Sequence, residues 1–477
     1  MELVDVGGSV DIHPAPSIVT GMVVPSSVAP LLSPPLRPID RVLSPVRGFT
    51  QHRLAGAALL MMATLAAIGI ANSPWAQGYH HFLESHINID IGALGLNYSL
   101  HHWINDGLMS LFFFLVGLEI KRELMVGELS TVRMATLPAI AAVGGMIVPA
   151  LLYAWLNQGT ANQAGWGVPM ATDIAFALGV LALLGDRIPT GAKVFLTALA
   201  IVDDIGAVLV IAIFYTGEIS YAPLLVGFAF LGVGVLFNRL GVGHSWVYPV
   251  IGAIVWVAFL KSGVHATIAA ILMAFVIPAT TRIDGEGLMR RIELITDRLK
   301  AIGLPQDTKL HTPEQQRAIL ALSETIQHAQ TPLQRTEHSL HGLVTFIVLP
   351  VFALANAGVT LEGDVAQQML SPLALGIVLG LFLGKQLGIT AATWLAVKLR
   401  LADLPAGVTW KQIHGVSILA GIGFTMSLFV ASLAFTTEQQ MAEGKIGILS
   451  GSVVSGIIGY FFLKNTPPVR SEETLES

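Results

Sequence analysis

The chain has 477 residues, of which 53% are hydrophobic and only 12% are charged, and its formal net charge is −5. An ordinary soluble domain has about a quarter of its residues charged, so this composition and a mean hydropathy of +0.70 exclude that class and favour a membrane protein. The chain contains no cysteine, which excludes disulfides and thiolate metal sites.

Twelve apolar segments follow one another along the chain, each close to the length of about 20 residues with which a helix crosses a bilayer. The sequence therefore predicts an all-α polytopic membrane protein whose transmembrane domain covers 53–464. The predicted spans lie near 54–71, 101–119, 134–156, 168–185, 194–215, 221–237, 246–260, 265–281, 341–361, 373–397, 413–434 and 446–464.

Lysine and arginine predict the orientation of these spans, because loops on the cytoplasmic side carry the positive excess. They concentrate in one alternating set of loops and tails, whereas the opposite set holds only Lys261 and Lys445. Both termini are therefore predicted to be cytoplasmic. Lys385 alone falls in the middle of a span and requires a separate explanation.

Three segments outside the spans are predicted to lie in the cytoplasm. Residues 1–52 are rich in proline and lack the pattern of a signal peptide, which indicates a disordered tail. The 282–340 loop is mixed in charge and is interpreted as a solvated linker with a helical stretch at 314–326. Residues 465–477 form the C-terminal tail.

The segment 87–98, between the first two spans, alternates apolar and polar residues with interrupting glycines. This pattern predicts an extracellular β-hairpin. The exposed edge of such a hairpin can pair with its copy in a second chain. A homodimer through 87–98 is therefore predicted.

Two adjacent acids, Asp203 and Asp204, interrupt an apolar run that extends over 193–214. Ionised carboxylates at this depth are costly and usually mark an ion or proton path. Neighbouring side chains on a helix point about 100° apart, so the two carboxylates are expected to have different partners. An acid pair at the end of a span is the alternative, but a run of apolar or neutral residues at 194–202 precedes the pair.

Lys385 lies in a stripe of glycines spaced four residues apart, a pattern that lets a second helix approach closely. At about 1.5 Å per residue, it lies roughly 18 Å from the start of its span at Leu373, too deep for easy contact with water. A lysine buried in this way needs an acidic partner. Lys385 then acts either as a proton carrier or as a structural counter-charge. The glycines are Gly376, Gly380, Gly384 and Gly388.

Glycine and proline interrupt the fourth and eleventh spans. Thr172 and Asp173 follow such a stretch at 165–170, and the eleventh span has a counterpart at 421–427. Irregular backbone within a bilayer is tolerated only where it lines protein or a cavity. Two interrupted segments at corresponding positions therefore point to a binding site.

Several motifs, in the same order along the chain, resemble those of the NhaA-type sodium/proton antiporters. The resemblance runs from about Arg53 to Lys464. It implies twelve transmembrane helices with inverted repeats and two interrupted helices that cross mid-membrane. The motifs are Trp-Ile-Asn-Asp at 103–106, Phe-Leu-Val-Gly-Leu-Glu-Ile-Lys-Arg-Glu at 114–123, Ala-Thr-Asp-Ile-Ala-Phe-Ala-Leu-Gly at 171–179, Ala-Leu-Ala-Ile-Val-Asp-Asp-Ile-Gly at 198–206, Lys-Ser-Gly-Val-His-Ala-Thr at 261–267 and Gly-Ile-Gly-Phe-Thr-Met-Ser at 421–427.

The resemblance implies a role for each polar residue of the interrupted centre. Asp204, helped by Asp203, is the ligand of Na⁺ or Li⁺ and alternately takes up a proton, while Asp203 also lies beside Lys385. Asp173 compensates the partial charges of the helix ends, with ion coordination through Thr172. A simple capping aspartate is the alternative for Asp173.

Further acidic, basic and histidine side chains resemble residues with supporting roles in the family. Asp106, near the outer end of the second span, is assigned to the ion path, although a solvated acid would also suit this place. Histidine titrates near neutral pH, and matching positions take part in pH response in the family. Ordinary interfacial anchors are the alternative. The residues assigned to pH response are Glu119, Arg122, Glu123, His265, Glu337, His338 and His341.

The resemblance implies a bacterial inner-membrane antiporter that exports Na⁺ or Li⁺ in exchange for H⁺, with electrogenic and pH-regulated exchange. It implies no cofactor, no enzymatic activity and no nucleic-acid partner; membrane lipid and a second copy of the chain are the partners besides the ions. An intramembrane aspartyl protease and a passive cation channel are the alternatives. Adjacent acids do not face each other across water as such a protease requires, and a channel requires a continuous pore. The tail at 1–52 and the 282–340 loop depart from the family pattern.

Overall fold

The computed structural model describes residues 18–19, 22–23, 54–91, 94–242, 246–281, 283–303, 312–360 and 365–467. The chain divides into two units, Met1–Gly56 and Ala57–Ser477. In the first unit, strand β1 (Ile18–Val19) pairs antiparallel with β2 (Met22–Val23). The rest of the predicted disordered tail at 1–52 lies outside the described residues, as does the C-terminal tail beyond residue 467.

The remaining elements are helices and one further sheet of two strands, β3 (His86–Ile91) and β4 (Leu94–Ser99). A 3₁₀ segment, Ala161–Met170, precedes α5, and a short 3₁₀ turn, Gly185–Arg187, follows it. The helices are α1 (Ala55–Ala71), α2 (Ala76–Glu84), α3 (Leu100–Val126), α4 (Val132–Leu156), α5 (Ile174–Leu183), α6 (Thr190–Phe214), α7 (Tyr221–Arg239), α8 (Val247–Ser262), α9 (Ala266–Val276), α10 (Gly285–Ile302), α11 (Pro313–Ala329), α12 (Pro332–Asn356), α13 (Val365–Met369), α14 (Pro372–Lys398), α15 (Trp410–Leu419), α16 (Phe424–Ala434) and α17 (Glu438–Lys464).

Seven of the described helices are long and apolar enough to cross a membrane, and the number rises to ten if each of three bent helix pairs is one span. The shorter α8 and α9 are also apolar. Each predicted span overlaps one of these helices or at least one member of a bent pair, which confirms an all-α polytopic membrane protein. The total of twelve spans remains a prediction. The seven helices are α3, α4, α6, α7, α12, α14 and α17.

Strands β3 and β4 form an antiparallel hairpin in which Ile87 lies opposite Tyr98. They follow α2, which is bent by 111° from α1. The side chains of Ile87 and Ile89 are exposed. The predicted hairpin at 87–98 is confirmed, while its extracellular position remains a prediction.

Within the described residues, most of the 282–340 loop is helical, and the predicted helical stretch at 314–326 is confirmed. Its interpretation as a solvated linker remains a prediction. Helix α10 begins after Asp284, whose side chain accepts a hydrogen bond from the Gly287 N–H. Helix α11 begins after Thr312, which forms a reciprocal capping box with Gln315. These caps satisfy N–H groups that the first helical turn leaves without partners. The two helices pack against each other.

Helix α12 begins at Pro332, well before the start predicted near 341. Thr331 forms a capping box with Gln334, and proline is well suited to the first turn because that turn needs no N–H from it. Glu337 and His338 therefore lie on α12, before the predicted start of the ninth span near 341, and His341 lies at that start.

Helices α4 and α14 pack closely along the predicted glycine stripe. A Cβ atom on Gly388 would collide with the carbonyl group of Gly144, and one on Gly384 would collide with the backbone of Pro149. Only glycine permits this approach, which carries the neighbouring Lys385 into the interior. Helix α6 packs against α4 as well, so α4 links the two helices that carry the buried charges.

Candidate functional site

Asp203 and Lys385 form an ion pair in the core of the bundle. Asp203 lies midway along α6, and Lys385 directly follows a π-helical stretch of α14, Gly380–Gly384. The Lys385 Nζ atom donates to Asp203 Oδ2 at 2.6 Å, and both side chains are fully shielded from solvent. Two buried charges are tolerated when they are paired and hydrogen-bonded. The predicted partnership is confirmed.

Asp204 is also buried, but its environment differs from that of Asp203. The Oδ1 atoms of both acids have no hydrogen-bond partner among the described residues, but only Asp203 is paired with Lys385, through Oδ2. The carboxyl groups of Asp203, Glu119 and Asp173 lie close enough to interact with Asp204 electrostatically. Buried polar groups normally have hydrogen-bond partners, and like charges repel one another. A proton or a cation would therefore be stabilised at Asp204.

Two bent segments meet beside these acids. The 3₁₀ segment and α5 are bent by 44°, and α15 and α16 by 47°. The Asp173 N–H donates to the Ile422 carbonyl at 2.6 Å, and the Thr172 hydroxyl donates to the Ala420 carbonyl at 2.9 Å. The Ser427 hydroxyl donates to the Val168 carbonyl at 2.8 Å. Backbone carbonyl groups of each bent segment thus accept hydrogen bonds from the other segment, as buried backbone polar groups require.

Asp173 caps both bent segments with one carboxylate. Its Oδ1 atom accepts from the Phe176 N–H at 3.1 Å, at the beginning of α5. Its Oδ2 atom accepts from the N–H of Thr425 at 3.0 Å and from the hydroxyl of the same residue at 2.5 Å, at the beginning of α16. Thr172 lies beside Asp203. The contacts of Asp173 are therefore those of a cap shared by two helices.

Asp106 lies in a π-helical stretch of α3, Trp103–Leu108, between two histidines. The distance from His102 Nε2 to Asp106 Oδ2 is 3.0 Å, and that from His265 Nδ1 to Asp106 Oδ1 is 3.9 Å. His265 immediately precedes α9. Because Asp106 is only 9% exposed, its interpretation as a solvated acid is excluded.

Sequence reasoning missed His102, although a signal was present. His102 and Asp106 are four residues apart, which places them on one face of a helix. The neighbouring His101 turns toward α12, where its Nε2 atom lies 3.1 Å from Asn356 Oδ1. Asn356 also donates to Asn105 Oδ1 at 2.7 Å.

Four predicted pH-response residues cluster where α3 meets α12. Arg122 donates to Glu337 Oε1 in a short ion pair, and to Glu123 Oε1 at 3.0 Å. Glu119 lies close enough to interact electrostatically with Glu337 and, in the interior, with Asp204. The cluster therefore extends from the α3–α12 contact toward the buried acids.

The three predicted histidines do not share one place. His338 is exposed on α12, and His341 lies near both His338 and Arg122. His265 contacts Asp106 instead. The structure therefore divides the predicted pH-response residues between the α3–α12 contact and the Asp106 cluster.

The carboxylate of Asp204 is a position at which one bound positive charge could be exchanged for another. Within the described part of the chain, no group of three or more histidine, aspartate or glutamate side chains is arranged to hold a metal ion. Asp204 instead offers a carboxylate next to an internal ion pair, where a hard cation that prefers oxygen ligands and a proton would compete.

A sequence profile of the family described as Na⁺/H⁺ antiporter 1 matches residues 47–463. The chain is 47% identical over 447 residues to the Na⁺/H⁺ antiporter NhaA of Koribacter versatilis, a match that covers 92% of this chain and 97% of that protein. It is 48% identical over 432 residues to the Na⁺/H⁺ antiporter NhaA of Oleidesulfovibrio alaskensis, covering 90% of this chain and 95% of that protein. These matches extend over nearly all of the chain, which belongs to the Na⁺/H⁺ antiporter 1 family.

Proposed function

We propose that this protein is a secondary antiporter that exports Na⁺, or Li⁺, in exchange for H⁺. The observation that carries the proposal is Asp204, a buried carboxylate whose Oδ1 atom has no hydrogen bond among the described residues, next to the Asp203–Lys385 pair. Relatives that match over almost their entire length bear the name Na⁺/H⁺ antiporter, which supports the same function.

One acidic site accepts the two cargoes in turn. At cytoplasmic pH, deprotonated Asp204, helped by Asp203 and backbone oxygens, takes Na⁺ or Li⁺, which as hard cations prefer oxygen ligands. The loaded core opens outward, where protons displace the ion and neutralise the site. Because no empty charged site crosses the membrane, the two fluxes are coupled without ATP or a cofactor.

Lys385 gives the site a further exchangeable charge. An ion bound at the two acids competes with the Lys385 ammonium for Asp203, and a lysine that loses its buried partner can release a proton. More than one proton per ion makes exchange electrogenic. The membrane potential, worth about 2.3 kcal/mol per charge per 100 mV, then drives Na⁺ out. A fixed counter-charge is the alternative role of Lys385.

The two bent segments are proposed to be interrupted helices that cross mid-membrane in a twelve-span fold with inverted repeats. The beginnings of α5 and α16 carry partial positive charge. Asp173 compensates both, because it accepts hydrogen bonds from Phe176 and Thr425. Thr172, which lies beside Asp203, supports ion coordination.

The α3–α12 cluster is proposed to regulate exchange by pH from the cytoplasmic side. Its ion pair between Arg122 and Glu337 joins two helices, and Glu119 connects it electrostatically to Asp204. A change of protonation there alters both the helix contact and the field at the ion site. Asp106 supports the ion path at the opposite end, where His265 lies near it and is proposed to take part in the pH response. The remaining members of the regulatory cluster are Glu123, His338 and His341.

The protein is proposed to lie in a bacterial inner membrane with both termini in the cytoplasm, and to form homodimers. The exposed hairpin β3–β4 is a two-stranded sheet in the described part of the chain, and its edges offer backbone groups to a second copy. Surrounding lipid contacts the exposed apolar faces of the helices.

Asp204→Asn is expected to abolish Na⁺-induced proton movement, because an amide neither takes up a proton nor offers a charged oxygen to Na⁺. The measurement is Na⁺-stimulated dequenching in everted vesicles at about pH 6.5, close to the ordinary histidine pKa, and at about pH 8.5, well above it. Asp403→Asn is the control, since the Asp403 side chain is 85% exposed, and should retain the wild-type rate. Unchanged dequenching in Asp204→Asn would contradict the proposal.

Asp203→Asn leaves Lys385 buried without its counter-charge and is expected to lower stability by about 3–5 kcal/mol. Addition of Lys385→Met removes the stranded charge and should restore most of the loss, measured as Tm in detergent. Equal Tm values for the single and double variants would refute this pairing.

If Lys385 carries a proton, the rate of exchange by the Asp203→Asn, Lys385→Met double variant becomes independent of membrane potential. A rate that still depends on membrane potential identifies Lys385 as a counter-charge.

Glu337→Gln is expected to shift the pH of half-maximal exchange by about one unit, because it removes the acidic partner of Arg122 on α12. The readout is the rate of Na⁺-dependent exchange as a function of cytoplasmic-side pH. Glu324→Gln, an exposed position on α11, is the control and should keep the wild-type profile. A superimposable profile for Glu337→Gln would assign the residue to anchoring instead of regulation.

Proline at both Asn88 and Asp90 is expected to convert the dimer into a monomer. In the register of the hairpin these N–H groups alternate with those that face β4 and therefore lie on the free edge, and proline cannot donate a hydrogen bond to a second copy. Light scattering of the purified protein in detergent measures the mass. The paired control, valine at both positions, keeps the N–H groups and should remain dimeric. A dimer that survives the proline variant would exclude the hairpin as the interface.

A further inference from the structure

The Asp106 cluster, formed by Asp106, His102 and His265, lies outside the central site and has its own charge balance. Each carboxylate oxygen faces one imidazole, His102 at 3.0 Å and His265 at 3.9 Å. The two facing ring nitrogens have no aligned hydrogen-bond partner within the described residues. The contacts are therefore electrostatic and depend on whether each imidazole is protonated.

The two histidines reach Asp106 from different surroundings. The His102 ring stacks on Tyr98 of β4 with ring centroids 4.3 Å apart, and its side chain is 38% exposed. The His265 side chain is 17% exposed, and its ring lies edge-on to Phe429 of α16 at 6.3 Å. His102 is thus the more accessible member and the first to meet protons from the adjacent solution.

Other charged or titratable groups near the Asp106 cluster are held by partners of their own. His101 contacts Asn356. Lys445 Nζ donates to the Gly358 carbonyl at 3.0 Å, and Lys261 Nζ donates to the Gly95 carbonyl at 2.6 Å. Lys261 also lies 5.7 Å from the centre of the Tyr98 ring. These groups add a positive background, whereas the two imidazoles touch the carboxylate itself.

We propose that His102 and His265 form a proton-operated electrostatic switch on Asp106, which sets how strongly the outer mouth of the ion path attracts cations. With both imidazoles neutral, the Asp106 cluster carries one net negative charge; with both protonated, it carries one net positive charge. The inference rests on the proposed exchange function and on the proposed orientation of the hairpin toward the outside.

The switch makes Na⁺ release directional. Acidic solution outside protonates the imidazoles, and the resulting positive mouth repels Na⁺ that would return. Alkaline solution outside leaves both imidazoles neutral. The negative charge of Asp106 then attracts Na⁺ to the mouth and slows its departure. His102 acts as a positioning and charge-setting residue, because it works through Asp106 and not by contact with the transported ion.

The test compares the two faces of the membrane. The KM for Na⁺ is measured from the outer face in right-side-out vesicles and from the inner face in everted vesicles, at about pH 5.5 and about pH 8.5, which lie on either side of the ordinary histidine pKa of about 6.5. Because protons also compete with Na⁺ at the central acids, the KM at the acidic pH exceeds the KM at the alkaline pH on both faces, and their quotient is the KM ratio of each face. The inner-face ratio is the internal reference. The wild-type outer-face ratio is expected to exceed it by at least about tenfold, because a proton on one group of ordinary histidine pKa raises KM about tenfold at one pH unit below that pKa.

His102→Gln is expected to lower the outer KM at the acidic pH and so to bring the outer-face ratio closer to the inner-face ratio, while His265 retains its own contribution. His102→Lys introduces a positive charge that is present at both pH values. It should raise the outer KM at the alkaline pH and thereby reduce the outer-face ratio. His101→Gln is the matched control at the adjacent position and should keep the wild-type outer-face ratio. A purely structural role would change KM by the same factor at both pH values in the Gln and Lys variants.

An outer-face ratio in His102→Gln equal to that of the wild type would overturn the inference. The same conclusion follows if the wild-type ratios from the two faces are equal. Both results leave Na⁺/H⁺ exchange itself intact. Loss of the proposed function is a different outcome, namely no Na⁺-dependent proton movement from either face in the inserted wild-type protein.

Discussion

A lysine and an aspartate buried in an apolar bundle are the constraint on which this structure depends. The Lys385–Asp203 pair is stable only while α14 and α6 both remain against α4, and glycines on α14 and α4 make that packing close enough. Separation of the helices would leave two unpaired charges in a region of low dielectric. The pair also leaves Asp204 as the carboxylate that the lysine does not occupy, so one interaction fixes the packing and defines the free acid.

Sequence reasoning predicted this centre because its signals are local or compositional. A charged residue inside an apolar run is conspicuous, and two adjacent acids on one helix require different partners. The choice of Asp203 among the acids of the spans came from the resemblance to the antiporter family, and its 2.6 Å contact with Lys385 confirms it. The alternation at 87–98 likewise predicted the hairpin β3–β4, since strand periodicity is readable from a few residues.

The start of α12 and the contacts between residues distant in sequence could not be predicted from hydropathy. Helix α12 begins at Pro332 because Thr331 and Gln334 form a capping box, yet its first turns are too polar to register as part of a span. The contacts of Asp173 with Thr425, and of His265 with Asp106, join residues far apart in sequence. A single sequence offers no periodicity from which such contacts follow.

The shared cap at Asp173 has a mechanical consequence. Its two carboxylate oxygens terminate α5 and α16 separately, so the carboxylate acts as a pivot common to both helices. Translation of one helix away from the other would strand a buried carboxylate and expose a helix N-terminus at the same moment, whereas rotation about the pivot preserves both sets of hydrogen bonds. The softest displacement of this region is therefore a concerted tilt of α5 and α16, with Asp173 near its stationary point.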